Sequence, residues 1–388
     1  MDTPNTYIRI SIMEFTPSSI KLTKTLSKDV KKDNGIFFTP KTARVRIFEL
    51  LEKHKINPKT ILEPSFGSGE FLTDLYAKYP KAKITGVEKC KMLYDSVEYP
   101  NLQNIDFMEY QGKHDLIIGN PPFVVIPQTE ETKKCQISRP NLFVQFIWNS
   151  VTKHLKQKGY LAFVLPTAFY NCSYYEKMRR YLFENTTVLE VEALEGKYLE
   201  TQQDTFLLLL RLEKGNNPMF VVCNDNYYLT PYWKELQELL KDSSTLHQLG
   251  FAVKTGEVVW NQEKDKLADK GTLLIYSSNF KDGTMTFPEM SGEKKQYING
   301  FKKSPLSGKS ILINRGYGNT YSLNCILVDY PEYYAENHVN VIRGPEEHID
   351  KVLQSLKSKN TGLFIQYFVG NGALSKTELE SCLPIWST

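Results

Sequence analysis

The residues that say most about chemistry are Asn120, Pro121, Pro122 and Phe123, which follow an apolar, strand-like run. Consecutive prolines cannot continue a hydrogen-bonded ladder, so they fix a loop just past the strand, where open α/β sheets bind ligands. The Asn120 amide oxygen and the Pro121 carbonyl would supply two converging acceptors, and Phe123 a flat stacking face. Such a set suits a planar exocyclic amine, because accepting both N–H bonds would localise the nitrogen lone pair towards an electrophile. The alternative is a proline-rich turn that simply ends a strand.

A second informative segment, residues 61–72, indicates a short strand, a Gly-Ser-Gly loop and the start of a helix. Glycines let the backbone approach a ligand closely, as in nucleotide-binding turns. A further strand ends at Glu88, and an acid at this distance from the loop commonly accepts hydrogen bonds from ribose hydroxyls. Asp106 and Phe107, after a third possible strand, offer a carboxylate and a ring face suited to adenine. A lone Gly-x-Gly is weak evidence, but these features together at successive strand ends are a strong constellation.

In these residues the chain resembles the N6-adenine DNA methyltransferases of restriction-modification systems, specifically the gamma class represented by the TaqI methyltransferase. In that family Asn-Pro-Pro-Tyr/Phe is the catalytic motif, and Asp/Glu-Pro-x-x-Gly-x-Gly binds S-adenosylmethionine; Glu63 stands where many members have Asp. The gamma class places a motif ending in Thr-Pro before the glycine loop, and residues 35–40 read Gly-Ile-Phe-Phe-Thr-Pro. Residues 141–146 begin a predicted helix ending near residue 156, and residues 159–166 resemble a family strand. The resemblance covers about residues 35–215 and continues more loosely to about residue 385.

The resemblance implies a Rossmann-like α/β methyltransferase domain with a mostly parallel sheet, followed by a C-terminal mixed α+β DNA target-recognition domain. Alternating strand-like and helix-like runs agree with this fold in the first part. A Gly-Asn-Asn-Pro turn near residue 215 is the expected boundary. We therefore expect a partly ordered lead-in segment at residues 1–34, an S-adenosylmethionine-binding catalytic domain at 35–215 and a target-recognition domain at 216–388.

The implied reaction is site-specific transfer of a methyl group from S-adenosylmethionine to N6 of adenine in duplex DNA. This atom is inaccessible within a stacked duplex, so the base must be flipped out. Phe123 would stack on one face of the flipped adenine, and the resemblance suggests Tyr198 for the other face. The predicted catalytic residues are Asn120, Pro121, Pro122, Phe123 and Tyr198.

The predicted cofactor site surrounds the glycine loop. Glu63 and the Gly67–Gly69 loop are expected to hold the methionine end, Glu88 the ribose, and Asp106 with its neighbour the adenine. The full predicted set is Phe37, Thr39, Glu63, Pro64, Ser65, Gly67, Gly69, Glu88, Asp106, Phe107, Asn120, Pro122 and Phe146. No metal site is expected, because the six cysteines are scattered and the six histidines lie at unrelated spacings.

Three turns in the second part are predicted to contact DNA, and a purely structural turn is the alternative for each. One places an indole and an amide beside a glycine. Another offers arginine and asparagine, which can read guanine and adenine edges, and the last resembles the family's late recognition loop. The predicted DNA-contact residues are Trp260, Asn261, Arg315, Tyr317, Asn319 and Asn371.

Charge gives weak support for a polyanion partner, because the formal net charge is only +4 and residues 216–388 are not basic overall. Their best basic cluster, Lys294 to Lys309, has a solvated loop as its alternative. We expect double-stranded DNA as partner and a monomer; a cognate restriction endonuclease, where one exists, would be a separate protein. The longest apolar run, residues 206–210, is too short to span a membrane, and no signal peptide is apparent. The expected location is the cytoplasm, or wherever the target DNA resides.

Rival functions share the same chemistry. Asn-Pro-Pro-Tyr/Phe also serves enzymes that methylate guanine N2 in ribosomal RNA or a protein glutamine amide. The Thr-Pro motif before the glycine loop and the large C-terminal part disfavour both. A non-catalytic DNA-binding relative is disfavoured by the intact Asn120, Glu88 and glycine loop.

Overall fold

A computed structural model describes residues 14–27, 29–31, 35–194, 204–223, 225–281, 283–316, 323–368 and 374–386. The chain forms two compact units, Met1–Phe220 with Asn226–Pro231, and Val221–Asp225 with Tyr232–Thr388. The passage between them thus extends a little beyond the turn that the sequence predicted as the boundary. The functional roles given to the two parts stay predictions.

The first unit contains a seven-stranded sheet in the order β3-β2-β1-β4-β5-β7-β6. Its strands are β1 (Thr60–Glu63), β2 (Lys83–Val87), β3 (Leu102–Gln103), β4 (His114–Gly119), β5 (Leu155–Pro166), β6 (Thr187–Leu194) and β7 (Thr205–Arg211). Strands β1 to β5 pair in parallel, and β7 runs antiparallel between β5 and β6. The predicted Rossmann-like fold with a mostly parallel sheet is confirmed.

Helices cover both faces of this sheet. The helices of this unit are α1 (Pro17–Thr25), α2 (Lys41–Lys53), α3 (Glu70–Lys78), α4 (Lys91–Tyr94), α5 (Glu130–Cys135), α6 (Leu142–Asn149) and α7 (Glu176–Asn185). Leu116 and Ile118 of β4 pack with α2 and α3, whereas Ile117 packs with α6 and α7. From Leu116 to Ile118 this central strand therefore buries the side chains on both of its faces, which explains the continuous apolar run there.

One sequence expectation differs from the structure. The helix predicted to end near residue 156 ends at Asn149; a π-helical turn follows, and β5 begins at Leu155, paired with His114 of β4. The described part of the lead-in also packs into the first unit, because Phe15 and Leu22 join a buried cluster with Phe38.

The second unit is built around a sheet in the order β11-β19-β17-β18-β13-β16-β12. Strands β13 and β18 are parallel and the other neighbours antiparallel. The remaining strands in chain order are β8 (Phe220–Cys223), β9 (Asn226–Leu229), β10 (Ser243–Thr245), β11 (Ala252–Thr255), β12 (Leu267–Ala268), β13 (Thr272–Ile275), β14 (Phe280–Lys281), β15 (Thr284–Met285), β16 (Tyr297–Ile298), β17 (Leu306–Asn314), β18 (Cys325–Ala335), β19 (Val339–Arg343) and β20 (Pro384–Trp386). The helices are α8 (Trp233–Leu239), α9 (Glu346–Leu356), α10 (Lys359–Phe368) and α11 (Lys376–Ser381). This is the mixed α+β architecture that was predicted. Among the described residues, no helix has the length and apolar character needed to cross a bilayer.

Candidate active site

A cleft of about 340 Å³ lies in the first unit, at the carboxyl ends of its parallel strands. Glu63 is the last residue of β1, Glu88 directly follows β2, and Asn120 directly follows β4. Strands that run in the same direction present their carboxyl ends at one edge, so residues distant in sequence meet there. The size is that of a small-molecule site.

Most of the predicted cofactor residues line this cleft. They are Phe37, Pro64, Ser65, Gly67, Glu88, Asp106, Phe107, Asn120, Pro122 and Phe146. Thr39 and Glu63 line a smaller cavity that shares Phe37, Ser65, Gly67 and Asn120 with the main cleft. Gly69 lines neither, but with a φ of +78° it precedes α3 and turns the chain into that helix.

Sequence reasoning missed several lining residues, namely Gly35, Ile36, Phe38, Lys89, Cys90, Leu93, Val124, Ile126 and Leu142. Lys89 and Cys90 directly follow the acid at the end of β2, so their position at a strand end was an available signal. Gly35 also has an identifiable reason to be glycine. Its φ is +62°, and a Cβ there would lie 2.5 Å from Val124 Cγ2 and 3.0 Å from Pro122 Cβ.

The Asn120 side chain is held in one orientation by the segment before α2. Its Nδ2 donates to the Phe37 carbonyl at 3.2 Å and to Thr39 Oγ1 at 3.1 Å. A rotated amide would place Oδ1 against the Phe37 carbonyl oxygen, so the hydrogen-bond pattern fixes which atom is the acceptor. Oδ1 is buried and has no partner among the described residues. A buried acceptor left unpaired costs about 1–3 kcal/mol, which is the property expected of an atom that accepts from a ligand.

Glu63 is an almost completely buried carboxyl group at the floor of the site. It accepts the Ser65 N–H at 3.1 Å, and Gly119 leaves room for it, because a Cβ there would lie 2.5 Å from Glu63 Oε1. Burial raises the pKa of Glu63 to about 8, and the nearby Glu88 charge adds to the rise. A cationic group beside Glu63 would favour the ionised form, so the site suits a ligand that carries positive charge.

The two further strand-end acids are fixed by backbone and lysine donors. Glu88 accepts the N–H of Gly67 at 3.0 Å and that of Cys90 at 2.8 Å, and burial raises its pKa. Asp106 accepts the Met108 N–H at 3.0 Å and Lys89 Nζ at 2.9 Å. Each carboxylate oxygen has a further lone pair, so both acids can still accept from ligand hydroxyl or amine groups.

Aromatic rings line the cleft or lie beside it: Phe107 and Phe146 are among its lining residues, whereas Phe123 is not. Phe107 is buried, and its ring centroid lies 4.7 Å from that of Phe146. Phe123 is partly buried and meets Phe143 edge to face at 5.8 Å, which fixes the plane of its ring. Tyr198, predicted as the second stacking residue, lies outside the described residues.

The predicted DNA-contact residues of the second unit differ in exposure. Trp260 is partly buried, packs against the cluster that includes Tyr276, and has Lys294 Nζ 5.1 Å from its ring centroid. Asn261 is exposed. Arg315 is exposed too; its backbone N–H donates to the His338 carbonyl at 3.2 Å. Tyr317, Asn319 and Asn371 lie outside the described residues.

The basic cluster in this unit is partly neutralised. Lys295 pairs with Asp269 at 3.2 Å and Lys303 pairs with Glu257 at 3.0 Å. Such pairs favour the solvated-loop alternative over a dedicated phosphate-binding patch.

The fold and the site define a Rossmann-like methyltransferase with an Asn-Pro-Pro-Phe loop. Residues 35–198 match the family model described as Eco57I restriction-modification methylase. Modification methylase CviBIII of Paramecium bursaria Chlorella virus NC1A is 29% identical over 97% of this chain and 100% of that protein. Type II methyltransferase M.CvrRI of Paramecium bursaria Chlorella virus XZ-6E is 28% identical, covering 96% and 99%.

Solved structures agree on the fold. The type IIL restriction-modification enzyme MmeI, solved in complex with DNA, covers 94% of this chain and 68% of its own, with a TM-score of 0.53 and 11% identity. The match to the DrdV–DNA complex covers 82% of this chain and 50% of the DrdV chain, with a TM-score of 0.50 and 11% identity. These two structures bear on the fold alone. The family match and the two viral modification methylases confirm the predicted class: the chain is a modification methyltransferase of the restriction-modification type.

Glu63 should make stability depend on pH in the sense opposite to that of an ion-paired carboxylate. Its pKa is about 8 in the folded protein against an ordinary value of 4.5. Between these values the folded state keeps a proton that the unfolded state releases, so stability falls as the pH rises through this window. The side chain of the Glu63→Gln variant cannot ionise. In urea unfolding, the free energy of unfolding of this variant should therefore increase relative to that of wild type as the pH increases. The exposed Glu109→Gln is the control, and parallel curves for Glu63→Gln and wild type would contradict the assignment.

Proposed function

We propose that this protein transfers a methyl group from S-adenosylmethionine to N6 of adenine at a fixed sequence in duplex DNA. The observation that carries the proposal is the buried Asn120 Oδ1, which has no hydrogen-bond partner in the described part of the chain, while Nδ2 of the same side chain is held by two acceptors. Together with the Pro121 carbonyl, Oδ1 would accept both N–H bonds of an exocyclic amine. The DNA complexes of MmeI and DrdV and the modification methylases that align over almost the whole chain support DNA as the substrate.

The residues of the cleft fit S-adenosylmethionine. The buried Glu63 carboxyl suits the ammonium group of the methionine end, Glu88 can accept from the ribose hydroxyls, and Asp106 beside Phe107 suits the adenine amine and ring. These acids would disfavour a nucleotide that carries phosphates, because like charges would face each other in a poorly solvated site. The chemistry that this cofactor supplies when bound is an electrophilic methyl group on a sulfonium centre.

The chain's own contribution is orientation and hydrogen bonding. Asn120 and Pro121 would hold the amine nitrogen in line with the methyl carbon. Fixed geometry of this kind lowers the activation barrier, because the translational and rotational entropy is already lost when the reactants bind. Their acceptor atoms also stabilise the positive charge that develops on the nitrogen during transfer. No general base is required before attack, because the amine is neutral.

Base flipping follows from the position of the target atom. Adenine N6 lies in the base-paired edge of the duplex, so the base must leave the stack to reach Asn120. Phe123 would stack on the extruded ring, and its edge-to-face contact with Phe143 at 5.8 Å holds it ready for that contact. Tyr198 stays the predicted residue for the opposite face.

Replacing Asn120 by Ala should abolish transfer of labelled methyl groups to plasmid DNA, because both the acceptor and its fixed direction are lost. Calorimetry should show S-adenosylmethionine binding largely intact. Asn57→Ala, an exposed asparagine in the loop before β1, is the matched control and should behave as wild type. Retained methyl transfer in Asn120→Ala would sink the mechanism.

The same assay separates the rival substrates. Wild-type protein should label plasmid DNA and leave ribosomal RNA and protein unlabelled. Label in ribosomal RNA or on glutamine would replace the DNA proposal with one of the two alternatives that share the Asn-Pro-Pro-Phe chemistry.

Glu88→Ala should weaken S-adenosylmethionine binding far more than DNA binding. The variant loses the proposed ribose acceptor and also releases Gly67 and Cys90, whose N–H groups Glu88 holds. Removal of charge-assisted hydrogen bonds of this kind costs about 1.5–3 kcal/mol each, which calorimetry can resolve. The exposed Glu109→Ala is the control. Unchanged cofactor affinity in Glu88→Ala would contradict the assignment.

Sequence recognition is assigned to residues 216–388, and Arg315 is its best test. Modification-sensitive long-read sequencing of DNA from cells expressing wild-type protein should show methylated adenines within one short fixed motif. Arg315→Ala should relax one position of that motif by about 1–3 kcal/mol of discrimination. Arg343→Ala, another exposed arginine of this unit, is the control. An identical motif for Arg315→Ala and wild type would show that the readout loop is misplaced.

A further inference from the structure

A buried polar network joins α1 to the first residue of α3, and the mechanism above does not use it. Ser19 Oγ donates to Glu70 Oε1 and lies 2.9 Å from Ser68 Oγ in the glycine loop. Ser19 is fully buried, and Glu70 is 4% exposed. The other Glu70 oxygen, Oε2, accepts the Thr39 N–H at 3.1 Å. The network therefore reaches the residue that holds the Asn120 amide.

Thr39 is held at three points. Its N–H donates to Glu70, its carbonyl accepts from Arg44 Nη1 at 2.7 Å, and its Oγ1 accepts from Asn120 Nδ2 at 3.1 Å. Arg44 is itself buried and is braced by Asp74 at 2.7 Å. A displacement of the Thr39 backbone would consequently move one of the two acceptors that orient Asn120.

A purely structural role accounts poorly for this arrangement. Burying a carboxylate is costly unless several donors compensate for lost solvation. Burial raises the pKa of Glu70, while the hydrogen bond from Ser19 and the charge of Arg44 oppose that rise. An apolar pair would pack α1 against α3 without this cost, but it could not direct the Thr39 N–H. The polar network therefore adds a fixed orientation of the Thr39 backbone, which an apolar contact would not provide.

We propose that Glu70, braced by Ser19 of α1, is a positioning residue that acts through Thr39 on Asn120. The segment at residues 14–27 thereby serves the methyl-transfer step rather than cofactor retention. This inference rests on the proposed role of Asn120 in methyl transfer, and it adds two residues, Ser19 and Glu70, that do not line the main cleft.

The test measures methyl transfer in a single turnover, with full-length enzyme in excess over the nucleic acid. Glu70→Gln keeps the size of the side chain but replaces one acceptor oxygen by an amide nitrogen, so either Thr39 or Ser19 loses its acceptor. The single-turnover rate should fall about 10- to 100-fold while the cofactor Kd changes less than about threefold. Glu52→Gln, the same change at an exposed glutamate paired with Lys78, should match wild type.

Ser19→Ala provides a second route, because it removes the brace and leaves the carboxylate in place. Ser19→Ala should also lower the single-turnover rate, by a smaller factor than Glu70→Gln. If Glu70→Gln fails to fold, Ser19→Ala alone tests the inference. An unchanged rate in Ser19→Ala together with either an unchanged rate or a lost cofactor affinity in Glu70→Gln would overturn the inference.

A double-mutant cycle separates positioning from general destabilisation. Thr39→Val removes the Oγ1 that holds Asn120 while nearly preserving shape. In the Thr39→Val background, Glu70→Gln should lower the rate little further, because the link is already broken. Rate losses that multiply independently would overturn the inference. Rates are compared on whichever nucleic acid the wild type methylates, so the adenine assignment and this inference fail separately.

Discussion

The hydrogen bond from Asn120 Nδ2 to the Phe37 carbonyl, 3.2 Å long, is the contact on which the rest of the site depends. A backbone carbonyl cannot reorient without moving its whole segment. This segment lies close against the Asn-Pro-Pro-Phe loop, which is possible because Gly35 has no side chain. The amide is therefore set before any ligand arrives. Preorganised acceptors of this kind avoid the reorganisation that water would have to undergo during reaction.

Buried carboxyl groups are the second constraint on this edge of the sheet. Glu63, Glu70 and Glu88 are all nearly inaccessible to solvent, and each accepts at least one backbone N–H at a strand end or helix start. Because burial raises the pKa of each of them, the site favours ligands that bring positive charge or hydroxyl donors. The glycine loop supplies one of these backbone donors, because Gly67, at a φ of +56°, donates its N–H to Glu88.

How much of this could be predicted from sequence depends on how local each signal is. The start of α3 and the strand-end positions of Glu63, Glu88 and Asn120 followed from the local sequence pattern and from the geometry of parallel strands. The network between Ser19 and Glu70 did not, because 51 residues separate its partners and no spacing rule connects them. The end of α6 was mispredicted for a similar reason. The start of β5 is set by pairing of Leu155 with His114 of β4, a contact between residues 41 positions apart that no local pattern indicates.

In the second unit, the sequence indicated candidate DNA-contact residues by residue type alone. Their burial, which sequence does not give, differs from one candidate to the next. Trp260 has the character of a DNA-contacting residue, yet its indole packs in a core cluster beneath Lys294. Arg315 is exposed, and its guanidinium Nη1 donates a long hydrogen bond of 3.4 Å to the Asn337 carbonyl, which a new partner could replace. Since Lys295 and Lys303 already pair with acids, diffuse attraction to phosphates is weak here. Under the proposed function, selectivity then depends on a few directed side chains, and the salt dependence of DNA binding should be shallow.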